Sequence, residues 1–183
     1  MDAVRLIAAG RHALAQSQAA LDIVTEAWQC QALAHAVGGW LAIAGPAELR
    51  GEARGLSEAG GRGCGRLDPL ALAGSGKSWD YGSRLPEYAG KPPDYAPRAA
   101  QLTEVRDPRQ ALLGLGALLG ELGIALVAVA CATDEEGLYW QCMEAIDAAD
   151  ESNDRVRSML RRLTTRERGG ASGAARDSTA GAT

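Results

Sequence analysis

The sequence predicts an all-α protein, and three observations predict it. Apolar residues recur at steps of three and four along three long segments, which is the spacing of α-helices. Phenylalanine is absent and aromatic residues make up 4% of the chain, whereas β-sandwiches and barrels draw on aromatic and β-branched side chains. Alanine is abundant, and small side chains let helices approach closely. We therefore expect an antiparallel bundle of three long helices plus one short helix.

The first predicted helix runs from Asp2 to about Ala44, where Gly45-Pro46 ends it because proline cannot continue the hydrogen-bond ladder. Gly38-Gly39 is its weak point, expected to be a kink or an early end. A short helix from Pro46 to about Ala59 follows. The apolar positions of the first helix are Val4, Ile7, Leu14, Leu21, Val24, Trp28, Leu33, Val37 and Leu41.

Residues 60–97 hold many glycines and five of the seven prolines, so they predict a flexible loop insertion. Within this loop a seven-residue pattern of acid, Tyr, small, any, base, any and Pro repeats around Tyr81, Tyr88 and Tyr95. Its prolines exclude a coiled-coil heptad and favour an extended or polyproline-like form. Two interpretations apply: a peptide ligand for a partner domain, or a neutral insertion, which the composition favours.

Asp107-Pro108 predicts the start of the second long helix, which is apolar on nearly every side and should be enclosed by other elements. Thr133 and Glu136 form a capping box for the third, and the tight turn before it requires the two helices to be antiparallel. We expect one domain over residues 1–168 and a disordered tail over 169–183. The third helix carries a bundle or coiled-coil seam at Leu138, Cys142, Ile146, Ala149, Asn153, Val156, Leu160 and Leu163.

The net charge and the cysteines indicate which partners and which cellular compartment to expect. The formal net charge is −4, which does not favour nucleic acid or an anionic membrane as a partner. The first residues lack the basic and apolar run of a signal peptide. We therefore expect a cytoplasmic protein with reduced thiols. No metal-ligand spacing joins its cysteines, which are Cys30, Cys64, Cys131 and Cys142.

No catalytic or cofactor-binding residue is predicted. Residues 74–78 read Gly-Ser-Gly-Lys-Ser, like the end of a phosphate-binding loop, but Ala71 stands where the first glycine is needed and no strand and helix flank it. His12 and His35 lie about 35 Å apart in a continuous helix, so they cannot share one site. No Glu-x-x-His pair of the di-iron bundles is present. We expect no metal and no cofactor.

An acidic stripe on the third helix is the one candidate for cation binding. Four carboxylates share a face and could hold a divalent cation if a second helix supplied oxygen ligands. The favoured interpretation is a solvated face, paired in part by Glu151–Arg155 and Asp154–Arg157. A metal- or thiol-dependent enzyme, using this stripe or Cys30 and Cys142, remains an alternative. The stripe consists of Glu144, Asp147, Glu151 and Asp154.

The apolar helix raises a membrane alternative. Residues 111–132 are long enough to span a bilayer, and Gly116-x-x-x-Gly120 resembles a close-packing motif. Glu121 at the middle and the amphipathic neighbours oppose insertion, so we expect no membrane. The hypothesis is instead an interaction or scaffold protein, a homo-oligomer or the partner of another protein, associating through an alanine-rich or Trp-bearing face. The candidate contact residues are Trp28, Trp40, Tyr139 and Trp140.

Three stretches carry a resemblance to a known family: Val24–Gln29 (VTEAWQ), Leu49–Leu56 (LRGEARGL) and Asp134–Gln141 (DEEGLYWQ). They resemble an uncharacterised actinobacterial, Streptomyces-type, family of helical proteins of unknown function. The resemblance covers about residues 1–65 and 99–163 and leaves the tyrosine repeat as an insertion. Because that family has no assigned activity, the resemblance implies a bacterial, cytoplasmic helical protein and no mechanism.

Overall fold

The computed structural model describes residues 1–67 and 97–177, with side chains described as far as Arg166. Two short 3-10 helices, Ala47–Leu49 and Arg98–Gln101, accompany the α-helices. Within these ranges there is no strand, and one isolated bridge joins Asp2 and Glu104. The all-α prediction is confirmed. The α-helices are α1 (Ala3–Gln16), α2 (Ala20–Ala44), α3 (Arg50–Arg66), α4 (Pro108–Ala132) and α5 (Glu136–Asp177).

The first predicted helix is in fact two helices, because the chain turns between Gln16 and Ala20. Ser17 ends α1: its backbone N–H donates to the carbonyls of Ala13 and Leu14 at 3.1 and 3.2 Å, and its hydroxyl donates to Ala13 at 3.0 Å. The prediction of one continuous helix is therefore wrong. No glycine or proline lies at this turn, and the apolar residues keep their helical spacing across it. The sequence therefore contains no local signal that would predict the break.

The predicted short helix is longer than expected. α3 extends to Arg66, so residues 60–66 are helical and the prediction that the loop begins at residue 60 is wrong. Gly38-Gly39 likewise does not end α2. A Cβ atom on Gly60 would lie 2.6 Å from the backbone nitrogen of His35. Because glycine has no Cβ, the antiparallel helices α2 and α3 can make backbone contact at this point.

Two sequence predictions fall largely outside the described residues. The tyrosine repeat and the phosphate-loop-like residues 74–78 lie within 68–96, which the structure does not describe. The predicted tail begins at Gly169, inside the bounds of α5, while side chains from residue 167 and the whole of 178–183 are not described. The tail therefore stays a prediction.

Helix directions follow from the contacts. α4 and α5 are antiparallel, since Gly116 lies against Val156 while Arg109 donates to Thr164. α1 and α4 are parallel, because the N-terminal residues run beside the segment that leads into α4. The Met1 amino group donates to the Gln101 carbonyl at 2.6 Å, and the Ala3 N–H donates to Glu104 at 3.0 Å. The two helices therefore start side by side.

The core is almost entirely aliphatic, and α4 supplies six of its thirteen buried leucines. The predicted seam of α5 faces the core: Cys142, Ala149 and Val156 are buried, and the seam leucines and Ile146 pack against the core. Burying one leucine contributes about 1.5–3 kcal/mol, so α4 anchors the fold. Its buried leucines are Leu112, Leu115, Leu118, Leu119, Leu122 and Leu126.

Candidate interaction surface

One face of α4 is apolar and exposed, contrary to the expectation that other elements enclose this helix on nearly every side. Ile124 is 75% exposed, Leu113 53% and Val127 49%. Only 39% of the most apolar window of α4 is buried, because the other helices cover the leucine face alone. We name the exposed face the α4 stripe; it consists of Leu113, Ala117, Gly120, Ile124, Val127 and Cys131.

The α4 stripe has the spacing of a helix-pairing seam. Its members follow one another at steps of four, three, four, three and four residues, as the a and d positions of a coiled coil do. From Leu113 to Cys131 the stripe is about 27 Å long at 1.5 Å per residue. With the width of one helix, this corresponds to a patch of about 300 Å², at the lower end of the largest patches on monomers, which are often functional.

No charged side chain belongs to the α4 stripe. Glu121, whose charge opposes membrane insertion, lies beside the stripe and pairs with Arg11 of α1, whose Nε lies 2.9 Å from Oε2. The hydrogen bond from Arg11 lowers the pKa of Glu121. This carboxylate therefore stays ionised at neutral pH and is engaged within the chain rather than on the stripe.

The two glycines of the Gly116-x-x-x-Gly120 motif face different surroundings. A Cβ on Gly116 would lie 3.3 Å from Cγ1 of Val156 and 3.4 Å from Oδ1 of Asn153, so Gly116 serves the internal contact with α5. No atom lies within 4 Å of the same position on Gly120. Gly120 is thus an open notch in the stripe, next to the projecting side chain of Ile124.

The predicted contact aromatics divide into two groups. Trp28 and Trp40 are half-buried and pack against the core of the protein. Trp140 is 59% exposed and Tyr139 39% exposed, and their rings meet edge to face at 5.3 Å. The exposed pair lies at the start of α5, close in sequence to the carboxyl end of the α4 stripe.

The predicted acidic stripe faces arginines of α3. Glu144 pairs with Arg66 at 2.7 Å and Glu151 with Arg62 at 2.6 Å. The two pairs predicted within the helix are present, Glu151–Arg155 at 3.9 Å and Asp154–Arg157 at 3.4 Å. No group of three or more metal-ligating side chains occurs over residues 1–67 and 97–166. Guanidinium groups pair with Glu144, Glu151 and Asp154, three of the four carboxylates, which favours the interpretation as a paired, solvated face.

The thiols considered for enzyme chemistry are buried. Burial raises the pKa of Cys30 to about 12 and also raises the pKa of Cys142. Cys64 is partly buried, donates to the Trp28 carbonyl at 3.6 Å and has its pKa raised by burial to about 12. Reactive cysteines need a lowered pKa and access to solvent, so this geometry disfavours the thiol-dependent alternative.

The remaining polar candidates lie apart. His12 and His35 are exposed on α1 and α2, and His35 Nδ1 lies 2.8 Å from the Ser57 carbonyl oxygen. An open groove between α3 and α5 is lined by Arg162 and Arg166, which pair with Glu52 and Glu48 at 3.0 and 2.6 Å. Sequence reasoning missed these pairs because their partners are more than 100 residues apart. Among the described residues, the α4 stripe is an apolar surface that no other element covers.

Residues 1–162 match a model described as Family of unknown function (DUF6099). No curated protein and no solved structure matches the chain. The likeness to an uncharacterised family is confirmed, and the actinobacterial origin stays a prediction.

Proposed function

The chain belongs to this family of unknown function, and we propose that it is a non-enzymatic interaction protein of the cytoplasm, which associates with a second copy of itself through the α4 stripe. The observation that carries the proposal is an exposed, uncharged face with the 3-4 spacing of a helix-pairing seam. The burial of Cys30 and Cys142 and the ion pairs of Glu144 and Glu151 support a non-enzymatic role.

The size of the α4 stripe predicts the strength of association. Two copies that cover about 300 Å² each bury about 600 Å² in total, less than the roughly 1,200 Å² of a stable interface. We therefore propose a reversible dimer whose population rises with protein concentration.

A lipid surface fits this face less well than a second copy does. α4 is the one described helix long and apolar enough to cross a membrane, a property that core helices share. Its exposed part is a narrow seam, whereas interfacial helices present a broad apolar face rimmed by Lys and Arg. The exposed carboxylates Asp134, Glu135 and Glu136 follow its carboxyl end and would be repelled by anionic headgroups.

Light scattering with size exclusion over a concentration series tests the proposal. We expect the wild-type mass to rise towards that of a dimer and Ile124→Glu to remain monomeric, because a carboxylate in the seam would lose its hydration. Ile43→Glu is the matched control, since Ile43 is 82% exposed on α2 and lies outside the stripe. Circular dichroism of each variant checks the fold.

Two results would contradict the proposal: a wild-type monomer at every concentration, or equal effects of the two substitutions. Flotation with vesicles of neutral and of anionic phospholipid separates the membrane alternative. We expect the wild-type protein to stay in the aqueous fraction. Flotation that Ile124→Glu abolishes would assign the α4 stripe to lipid.

A further inference from the structure

We infer that the two copies pair with their α4 helices antiparallel, about a two-fold axis that passes midway between Gly120 and Ile124. This inference rests on the self-association proposed above and adds its orientation and register. A two-fold axis requires the same patch on both copies to be complementary to itself. The α4 stripe meets that requirement in one orientation.

The sizes of the side chains along the stripe determine the orientation. With the axis at this point, Gly120 faces the partner's Ile124, and Ala117 faces the partner's Val127. Leu113 at one end then faces the partner's Cys131. Every layer joins a larger side chain to a smaller one, and the open notch at Gly120 receives the most exposed residue of the stripe.

A parallel pair would pack worse. In register, each residue would face its own copy, so that Gly120 meets Gly120 and Ile124 meets Ile124. The first layer would leave a void and the second would hold the helices apart, and both departures from close packing are unfavourable. Size matching therefore favours the antiparallel pair.

The charges at the two ends of α4 favour the same orientation. Arg109, an exposed residue whose guanidinium hydrogen-bonds Thr164 of its own chain, contributes positive charge at the amino end. The exposed carboxylates of Asp134, Glu135 and Glu136 lie at the carboxyl end. An antiparallel pair in this register brings Arg109 near the partner's Glu135 on both sides of the axis. A parallel pair would bring like charges together, which opposes association.

Disulfide cross-linking of the full chain tests the orientation. In the antiparallel pair the two native Cys131 residues are about 27 Å apart along the axis, far beyond the Cα separation of about 7 Å that a disulfide tolerates. Leu113→Cys places a second thiol opposite the partner's Cys131. With a copper–phenanthroline oxidant, we expect a dimer band from Leu113→Cys and none from the wild type.

Two control variants make the result specific. Leu113→Cys combined with Cys131→Ser should lose the dimer band, because the introduced thiols are then about 27 Å apart. Ala117→Cys combined with Val127→Cys, in a Cys131→Ser background, should regain it through the neighbouring layer. Light scattering of each reduced variant establishes that it still forms the dimer.

The outcomes separate this inference from the proposed function. If the wild type is a dimer that cross-links through Cys131, the pair is parallel; the orientation is overturned while self-association stands. A dimer in which neither designed layer cross-links overturns the register. A wild type that stays monomeric in light scattering overturns self-association itself, and the orientation with it.

Discussion

Substituting Gly60 by alanine should destabilise the protein, although alanine is the better helix former. Gly60 lies in α3 where that helix crosses α2. A Cβ atom there would lie 2.6 Å from the backbone nitrogen of His35 and 2.8 Å from the backbone oxygen of Gln31. Both are backbone atoms, so no side-chain rotation relieves the contact and the two helices must separate.

The magnitude follows from two opposing effects. The nearest contact is about 0.8 Å closer than ordinary van der Waals contact, and overpacking of this kind costs about 1–3 kcal/mol. A backbone contact places the cost near the upper end of that range. The higher helix propensity of alanine offsets about 1 kcal/mol of this loss in the free energy of unfolding. We expect a net loss of about 2 kcal/mol, or a fall in Tm of about 4–8 °C for a chain of this length.

Gly51→Ala is the matched control in the same helix, because no atom lies within 4 Å of its Cβ position. It should raise the unfolding free energy by up to about 1 kcal/mol. Urea unfolding followed by circular dichroism, at concentrations where the protein is monomeric, measures both variants. If Gly60→Ala is as stable as Gly51→Ala, the glycines do not mediate the contact between α2 and α3 and the reasoning is refuted.

Two further predictions concern titrating groups. At pH 8 an aromatic disulfide reagent should label Cys131 promptly and leave Cys30 protected, since Cys131 is exposed and burial raises the Cys30 pKa to about 12; prompt labelling that survives Cys131→Ser would contradict this. Burial of Glu52 is outweighed by hydrogen bonds from Arg155 and Arg162, so its pKa lies below the ordinary 4.5. The ionised form therefore stabilises the fold above that ordinary pKa, and this stability is lost as pH falls through the lowered value. Glu52→Gln should cost about 1 kcal/mol at pH 7 in urea unfolding, and the gap should close in acid; a gap independent of pH would refute the assignment.

The amino-acid sequence predicts those helices whose boundaries depend on neighbouring residues. Asp107 accepts a hydrogen bond from the Gln110 N–H at 2.9 Å and begins α4 as predicted. Gly45-Pro46 follows the end of α2, and the α5 seam packs on the core. These features depend on residues within one or two turns of each other, because helix hydrogen bonds and caps join neighbours along the chain. The acidic stripe was visible for the same reason, whereas its main partners, Arg62 and Arg66, were not.

Which helix faces are covered depends on contacts between elements that are distant in the sequence. The leucines of α4 and its exposed Ile124 are equally apolar in the sequence, and only the docking of α1, α2 and α5 leaves the α4 stripe uncovered. From the sequence, Gly38-Gly39 is interpreted as a weak point of a helix and Gly60 as the start of a loop. In the folded chain, the backbone of the opposite helix occupies the space that Gly38 and Gly60 leave. The spacing of apolar residues predicts which face of its own helix a side chain lies on. It does not predict which other element packs against that face, because that element belongs to a distant part of the chain.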